Sequence, residues 1–336
     1  MLHPPLRLRG NTVEAALAAI AAGELVVVVD DEDRENEGDL VVAADAVTPE
    51  LLAFMVRHTS GVICVALDGE RCDRLELRLM VPVGANQDAK GTAFTVSVDL
   101  REGTTTGISS ADRAATLRAL ADPARGAADF NRPGHVFPLR ARPGGVLERP
   151  GHTEAALDLA RLAGRAPAGV LSEVVLDGGG MARLPDLTAF ARRHGLVLVS
   201  ISDLIAHRRH TETLVTRVAQ SRLPTPWGNF HCVAFESQLD GTTHLALVNG
   251  VVAGARDVPV RMHVECLTGD VFGSSRCECG RELREAMPVI GEAGRGVVVY
   301  LRGQGRERDE GVGHQILDDL GVTSPLAIGA ALSAEC

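Results

Sequence analysis

The chain has 336 residues, a formal charge of −10 and only 3% aromatic residues. The length favours two domains, and the acidic, aromatic-poor composition argues against a nucleic-acid-binding surface. Apolar runs stay well short of the roughly 20 residues that a membrane span needs, and the first ten residues do not resemble a secretory signal. The seven cysteines, an odd number, indicate a reducing compartment, so we expect a cytoplasmic protein.

The first two thirds of the chain alternate between predicted helices and strands. Residues 11–23 predict a helix. Asn11 is its expected N-cap, Glu14 completes the capping box, and Gly23 ends the helix. A short β-branched run follows and predicts a buried strand. The same reasoning predicts helices in 48–61, 109–122 and 152–164, with Ser109 and Asp112 as the capping box of the second of these. It predicts strands in 62–67, 92–100 and 168–176, and a helix, strand and short helix in 184–209. This alternation predicts a layered α/β or α+β domain.

A second unit begins near Thr211, so we expect domains at 1–208 and 209–336. Its first part predicts successive strands, and its second part a helix followed by a buried strand. The strands are expected in 211–237, 243–250, 258–265 and 296–303, and the helix in 279–294. Residues 323–336 have no charge until Glu335, which is typical of the frayed end of a truncated domain.

An acidic loop lies at "VVVVDDEDRENEGDLVVAA", residues 26–44. It places seven carboxylates between Asp30 and Asp39, with Arg34 as the only cation among them. Acidic runs are usually solvated loops, but the apolar strands on both sides anchor this one to the core. Mg²⁺ and Mn²⁺ prefer such oxygen ligands, so the loop predicts a divalent-cation site. Some of the carboxylates, such as Asp30 and Asp31, are expected only to shape the loop.

The tetrapeptide "RPGH" occurs twice, at 132–135 and at 149–152. After the second copy, Thr153 is a candidate cap for a helix whose first turn offers free N–H groups to a phosphate. Arg149 is a cation for the same anion, and His152 is placed to be a metal ligand or an acid/base group. A histidine near a helix start is more often a plain surface residue, but the repetition favours a functional site.

Five stretches together resemble the 3,4-dihydroxy-2-butanone 4-phosphate synthase family: "DDEDRENEGDL", "TTTGISSADR", "NRPGHVFPLR", "RPGHTEAALDLARLAG" and "AGVLSEVV". The resemblance covers residues 10–208 without an obvious gap. It implies an enzyme of riboflavin biosynthesis that converts D-ribulose 5-phosphate to formate and 3,4-dihydroxy-2-butanone 4-phosphate. It also implies two Mg²⁺ or Mn²⁺ ions per site and a homodimer.

Residue by residue, the resemblance implies Glu35 and His152 as metal ligands and His135 and Glu173 as acid/base groups. The substrate is expected to contact Arg34, Glu35, Glu37, Asp39, Cys64, Thr106, Arg149, Pro150, Gly151, His152, Thr153 and Glu173. The residue types suit the chemistry. Removing a proton beside the ketone creates negative charge that a divalent metal stabilises, and the proton transfers need groups that both give and take.

Three cysteines in the second unit, Cys266, Cys277 and Cys279, have the spacing C-x10-C-x-C. Three thiolates with an open fourth position are typical of a catalytic zinc site; the alternative is a set of buried apolar thiols. This half resembles GTP cyclohydrolase II. In that comparison Arg261 and Glu265 match the nucleotide-contacting segment, with Val264 where the family has serine.

The second half also departs from that family. Glu282 stands where the family has glutamine, and Gln304-Gly305-Arg306 replaces Glu-Gly-Arg. Some tens of residues of the family pattern are then missing. In the stretch that follows, Arg308 matches the family's catalytic arginine, but Arg306 stands where its catalytic aspartate is expected. We therefore expect a truncated domain that does not turn over GTP and acts as an interaction or regulatory appendage.

Two alternatives to this interpretation stay open. One is a bifunctional enzyme in which GTP cyclohydrolase II activity survives, against which the missing residues argue. The other is a non-catalytic regulator that binds a sugar phosphate or nucleotide, against which the complete motif set of the first domain argues.

Overall fold

The structure is a computed structural model that describes residues 11–82, 84–303 and 306–329, with side chains except in 306–310. The chain divides into two compact units, Met1–Arg208 (unit one) and Arg209–Cys336 (unit two). Within the described residues, no helix is both long enough and apolar enough to cross a membrane.

The described part of unit one is built on a seven-stranded mixed sheet with helices on both faces. Its strands are β1 (Val26–Val29), β2 (Gly38–Ala43), β3 (Cys64–Leu67), β4 (Val98–Leu100), β5 (Phe130–Arg140), β6 (Ala168–Glu173) and β7 (Val197–Ser200), in the spatial order β4-β5-β3-β6-β2-β1-β7. Its helices are α1 (Val13–Ala21), α2 (Pro49–His58), α3 (Gly69–Arg74), α4 (Ser110–Ala121), α5 (His152–Leu162), α6 (Leu184–His194) and α7 (Ile201–Thr211), the last three residues of which fall in unit two. The α/β class predicted from the sequence is confirmed.

Strand β1 shows how the sheet is buried. All four of its valines are inaccessible to solvent or nearly so; Val27 and Val29 belong to one apolar cluster, while Val26 and Val28 belong to another on the opposite face. Successive side chains of a strand point to opposite faces, so a continuous apolar run is what a strand covered on both sides requires. The acidic loop joins β1 to β2 as a hairpin in which Val29 pairs with Gly38.

Helix α5 lies directly on the sheet because Gly169 in β6 leaves room for it. A Cβ atom at Gly169 would stand 2.2 Å from the carbonyl oxygen of Ala156 in α5. Every residue of α5 from His152 to Ala160 is buried. The close approach therefore sets the N-terminus of α5 beside the strands that carry Asp39 and Glu173, which are directly paired across β2 and β6.

Three local details differ from the sequence-based expectations. The N-cap of α1 is Thr12, whose hydroxyl accepts a hydrogen bond from the backbone of Ala15, whereas Asn11 contacts the backbone of Leu198. The strand expected in 92–100 is regular only over β4. Strand β5, which carries the first "RPGH" copy, was not predicted because Pro133 and Gly134 disfavour a strand interior.

Unit two forms a second mixed sheet. Within its described residues the strands are β8 (Val215–Thr225), β9 (Gly228–Ser237), β10 (Thr243–Asn249), β11 (Val258–Val264), β12 (Gly296–Leu301) and β13 (Pro325–Ala327), in the order β13-β11-β12-β10-β9-β8. The helices are α8 (Leu267–Asp270), α9 (Cys279–Ala293) and α10 (Arg306–Asp319). Part of the expected frayed end is thus an edge strand that pairs with β11; residues 330–336 lie outside the described residues.

Candidate active site and metal centres

A cavity of about 150 Å³ in unit one brings most of the predicted site residues together. It is lined by Arg34, Glu35, Glu37, Asp39, Cys64, Arg149, His152, Thr153 and Glu173, together with Thr92, Phe94, Leu139 and Leu171. Pro150 and Gly151 lie between two of these residues in the sequence. Residues that are distant in the sequence thus converge on one small, largely acidic space.

The acidic loop is folded around the carboxylate of Asp30. That carboxylate accepts hydrogen bonds from the backbone N–H groups of Glu35 (3.1 Å) and Glu37 (2.9 Å) and from Nη1 of Arg34 (2.9 Å). Arg34 Nη1 also donates to Oε2 of Glu35 at 2.6 Å. Asp30 therefore shapes the loop, and one of its oxygens also lies within 4.8 Å of candidate ligand atoms of Glu35 and His152.

The start of α5 forms the opposite wall of the cavity. The helix begins at His152 with Gly151 as N-cap, so the expectation that Thr153 caps it is wrong; Thr153 is already in the first turn. A Cβ atom at Gly151 would stand 2.4 Å from Nη1 of Arg149 and 2.9 Å from Nη2 of Arg34. Glycine at this position lets the two guanidinium groups converge on the helix N-terminus.

Arg149 is held in place by several acceptors. Its Nη1 donates to Oε2 of the buried Glu154 at 2.6 Å, and its Nη2 donates to the hydroxyl of Thr92 at 3.2 Å. Burial raises the pKa of Glu154, and Arg149 counteracts that rise. The two arginines and the free N–H groups of α5 provide positive charge at one end of an otherwise acidic cavity.

At the centre of the cavity, several carboxylates surround one histidine. Burial raises the pKa of Asp39 to about 7, with Glu173 and Glu35 adding to the rise. Hydrogen bonding with His152 lowers the pKa of Glu35 to about 2. Burial opposes protonation of His152, but Asp39 and Glu35 outweigh it and raise its pKa to about 9.

Two buried atoms in this cluster have no hydrogen-bond partner among the described residues, Nε2 of His152 and Oδ1 of Asp39. The other ring nitrogen of His152, Nδ1, is 3.5 Å from Oε2 of Glu35. Buried polar atoms without partners are rare and costly. Carboxylates and an imidazole with such an orphaned nitrogen fit a divalent cation.

Glu173 and Cys64 complete the polar lining. Glu173, the last residue of β6, accepts a hydrogen bond from the hydroxyl of Ser60 at 2.7 Å. Cys64 is the first residue of β3, and burial raises its pKa far above the ordinary thiol range. Cys64 is therefore a neutral thiol in the cavity wall, whereas the carboxylate of Glu173 is oriented by a hydroxyl.

His135 and Thr106 do not line this cavity. His135 is an exposed residue of β5 whose Nδ1 lies 2.7 Å from Oδ2 of Asp99, while its backbone N–H donates to Oδ1 of the same carboxylate. The turn that carries Thr106 packs beside this pair, because a Cβ atom at Gly107 would stand 2.8 Å from Nδ1 of His135. The structure thus divides the predicted residues into a cavity and a separate His135 cluster.

Several residues at these sites were missed by sequence reasoning. Asp99, Ser60, Thr92 and Glu154 each contact a predicted site residue. Glu154 directly follows the second "RPGHT" and was within reach of a motif-based argument. The other three belong to ordinary strand or loop sequences, and only the fold shows their role.

The three cysteines of unit two converge as predicted from their spacing. Their sulfur atoms all lie within 4.8 Å of one another, and Sγ of Cys266 is 3.6 Å from Sγ of Cys277. A Cβ atom at Gly269 would stand 2.9 Å from Sγ of Cys277, so glycine preserves the space around the sulfurs. Three thiols at this separation suit one tetrahedral metal ion with an open position.

Arg261, on β11, is paired with an acid on α9, the helix that begins at Cys279. Its Nη2 donates to Oε2 of Glu282 at 2.5 Å, and both side chains are largely buried. Glu265 lies 3.6 Å from Nε of Arg302. Gln304 and Gly305 lie outside the described residues, as do the side chains of Arg306 and Arg308, so the predictions made for them stay predictions.

Comparison with known proteins assigns both units. The family model for 3,4-dihydroxy-2-butanone 4-phosphate synthase matches residues 14–207, and that for GTP cyclohydrolase II matches residues 216–309. Riboflavin biosynthesis protein RibBA from Nocardia farcinica is 54% identical, with 94% of this chain and 84% of that protein aligned. The chain belongs to the RibBA family of riboflavin biosynthesis proteins. The RibBA protein of Mycobacterium tuberculosis is 52% identical, with 94% of this chain and 83% of that protein aligned. The two family matches confirm both predicted families.

Two solved structures are also similar to this RibBA family member. RibBX from A. baumannii, a two-domain 3,4-dihydroxy-2-butanone 4-phosphate synthase, has a TM-score of 0.83 and 38% identity and covers 96% of this chain and 94% of its own. A 3,4-dihydroxy-2-butanone 4-phosphate synthase in complex with two magnesium ions has a TM-score of 0.57 and 49% identity, covering 60% of this chain and 98% of its own.

The alignment with the Nocardia relative reveals a difference within the family. It spans 351 positions, which is more than the 336 residues of this chain. The relative therefore has residues inside the aligned span that this chain lacks.

Proposed function

We propose that unit one converts D-ribulose 5-phosphate to 3,4-dihydroxy-2-butanone 4-phosphate and formate, acting as a lyase. The observation that carries this proposal is the single cavity in which the acidic loop, the start of α5 and Glu173 meet. Membership of the RibBA family and the match of residues 14–207 support it. Release of formate from ribulose 5-phosphate by the purified protein, abolished by EDTA and restored by Mg²⁺, is the direct test.

Glu35 and His152 are the proposed ligands of the divalent metal. The unpartnered Nε2 of His152 and the surplus of carboxylates around it support this assignment. A bound Mg²⁺ or Mn²⁺ would supply a Lewis acid that stabilises negative charge on the substrate oxygens. We propose two ions per site; the similar synthase was solved in complex with two magnesium ions, which supports this number.

The positive end of the cavity is the proposed phosphate site. Arg34, Arg149 and the N–H groups of the first turn of α5 converge there, which suits a phosphate dianion. Anchoring the phosphate at this end directs the sugar carbons toward Asp39 and Glu173 and fixes their orientation. Glu173, oriented by Ser60, is the proposed proton acceptor and donor within the cavity.

His135 is the second proposed acid/base group, and its position requires a further step. Because the His135 cluster is separate from the cavity, we propose a homodimer in which His135 of one protomer serves the cavity of its partner. Co-expression of Glu35→Gln and His135→Ala chains with different tags tests this proposal. A doubly purified mixed dimer would hold one intact site and recover about half of the wild-type rate, while each parent stays inactive; if every site lay within one chain, the mixed dimer would be inactive.

We propose that unit two binds about one zinc ion through Cys266, Cys277 and Cys279 but does not open the ring of GTP. Zinc binding needs the three sulfurs in acceptable geometry, and they lie close together. Ring opening also needs a nucleotide held against the metal. Glu282, which stands where the GTP cyclohydrolase II family has glutamine, places a carboxylate against Arg261, a predicted nucleotide contact.

GTP cyclohydrolase II activity is the second candidate function of unit two. The match of residues 216–309 to that family and the cysteine cluster favour it. Incubation with GTP, Mg²⁺ and Zn²⁺ distinguishes the two proposals. We expect bound zinc by metal analysis, lost in Cys277→Ser, without a diaminopyrimidine product; clear multiple turnover of GTP would establish a bifunctional enzyme.

A further inference from the structure

Lys90 is the only lysine in the chain, and every other member of the 34 lysine and arginine residues is an arginine. It lies in the loop between α3 and β4, close to the cavity rather than on a remote surface. The chain thus has a single ammonium side chain, and it is placed beside the proposed active site.

The contacts of Lys90 connect both arginines of the phosphate site. Its Nζ donates a hydrogen bond to the backbone carbonyl oxygen of Arg34 at 2.7 Å. Its own carbonyl oxygen accepts hydrogen bonds from Nε (3.2 Å) and Nη2 (3.1 Å) of Arg149. One residue therefore contacts the acidic loop with its side chain and the guanidinium of the opposite wall with its backbone.

Hydrogen bonds within the turn around Lys90 connect its side-chain and backbone contacts. The carboxylate of Asp88 accepts hydrogen bonds from the N–H groups of Lys90 and Thr92, at 3.3 and 2.7 Å. The amide of Asn86 donates to the carbonyl oxygen of Thr92 at 3.0 Å. Because these hydrogen bonds hold the turn together, we expect loss of the side-chain contact of Lys90 to shift the whole segment 86–92, including its hydrogen-bond acceptors for Arg149.

We propose that Lys90 is a positioning residue for the phosphate end of the substrate. Its ammonium ties segment 86–92 to the acidic loop, and this tie holds the carbonyl oxygen of Lys90 and the hydroxyl of Thr92 against Arg149. A compact ammonium on a flexible stem suits a bond to one carbonyl oxygen, whereas a guanidinium is built for paired acceptors. The proposal rests on the proposed function of unit one, since it assigns Arg34 and Arg149 to the substrate phosphate.

The variant Lys90→Met tests this role because it keeps an unbranched side chain, one atom shorter, and removes the donor. We expect the KM for ribulose 5-phosphate to rise about fivefold, the effect of losing one exposed charged hydrogen bond. The kcat should stay within about twofold, since the lost contact affects the bound substrate and the transition state alike. An unchanged KM, or a loss in kcat with KM unchanged, would overturn the proposal.

Hydrogen–deuterium exchange of segment 86–92 without substrate distinguishes a positioning role of Lys90 from direct attraction between its charge and the substrate phosphate. Loss of the tie should speed exchange of this segment in Lys90→Met, whereas loss of charge alone would leave it unchanged and overturn the proposal. This measurement does not depend on turnover. If the wild-type protein released no formate, the function proposed for unit one would fail, and the exchange result would still decide whether Lys90 holds the segment.

The single lysine also permits a chemical test with a matched control. Acetylation by an N-hydroxysuccinimide ester forms an amide at Nζ, releases N-hydroxysuccinimide and removes the positive charge. In the wild-type protein the treatment should raise the KM as Lys90→Met does. Lys90→Arg contains no lysine, so the reagent reaches only its α-amino group and its KM should not change on treatment; an equal effect of the reagent on both proteins would exclude Lys90 as the cause.

Discussion

Replacing Asp39 with asparagine should stabilise the metal-free protein while impairing its proposed reaction. Asp39 lies buried in β2, and its Oδ1 has no hydrogen-bond partner among the described residues. The nearby carboxylates of Glu35, Glu37 and Glu173 all disfavour its ionised form. Asparagine keeps the shape of the side chain and removes the charge, so the folded state is relieved of a buried charge that three neighbouring carboxylates disfavour.

The size of the effect follows from the pKa of Asp39, which burial raises from 3.8 to about 7. An unfolded chain loses this proton near pH 4 and the folded chain only near pH 7, so stability falls as the pH rises between these values. At about 1.4 kcal/mol per pKa unit, the full penalty is about 4 kcal/mol above pH 7. The asparagine variant also deprives the charged His152 of a partner, which reduces the expected net gain to about 2 kcal/mol.

Calorimetry of the EDTA-treated proteins at pH 5 and pH 8 measures this gain. Trp227, the only tryptophan, lies in unit two, so its fluorescence identifies the transition of that unit. Asp33→Asn is the matched control because Asp33 is an exposed residue of the same loop, and it should change stability little at either pH. The gain from Asp39→Asn should be larger at pH 8 than at pH 5. A metal-free Asp39→Asn protein that unfolds more readily than wild type at pH 8 would refute the reasoning.

Three further predictions concern the site and its support. Glu35→Gln and His152→Ala should each lower turnover by about 10² or more and weaken Mg²⁺ binding measured by calorimetry, with unchanged circular dichroism. Asp99→Asn should depress turnover by about 10²-fold with Mg²⁺ binding intact, because Asp99 orients His135; near-full activity would remove this pair from the mechanism. Arg71→Met should destabilise the protein by about 3 kcal/mol in urea unfolding without changing kcat, since the buried guanidinium donates to four backbone carbonyl oxygens at the end of α4 and after it.

Most elements of the fold follow from local patterns because those patterns have local causes. The run of valines in β1 requires burial on both faces, and Ser109 caps α4 as its position predicts. The reciprocal half of that capping box is different, since the carboxylate of Asp112 binds the turn at Thr105 and Gly107 instead. Local prediction therefore fails for side chains that have several candidate partners.

The arrangement of the candidate site depends on contacts that no local pattern encodes. The two "RPGH" copies look equivalent in the sequence, yet one is in the edge-proximal strand β5 and the other begins the buried helix α5. The difference arises from pairing, because β5 lies beside β4 whereas α5 is covered by α1 and packs on β6. His135 and His152 therefore belong to separate clusters, which the motif alone could not show.

The acidic loop separates its charges into two classes once it is folded. The carboxylate of Asp30 is satisfied by two backbone N–H groups and Arg34, so it contributes to the loop's structure. Asp39 and His152 are buried with polar atoms that no described residue satisfies, which a sequence selected only for stability would avoid. A carboxylate cluster that is costly without a counter-charge gains affinity for a dication by the same electrostatics. The unpartnered atoms of Asp39 and His152 therefore explain why negative charge is crowded beside a buried strand, because such a cluster attracts a dication. The hydrogen bonds of Asp30 explain how the folded loop tolerates that charge.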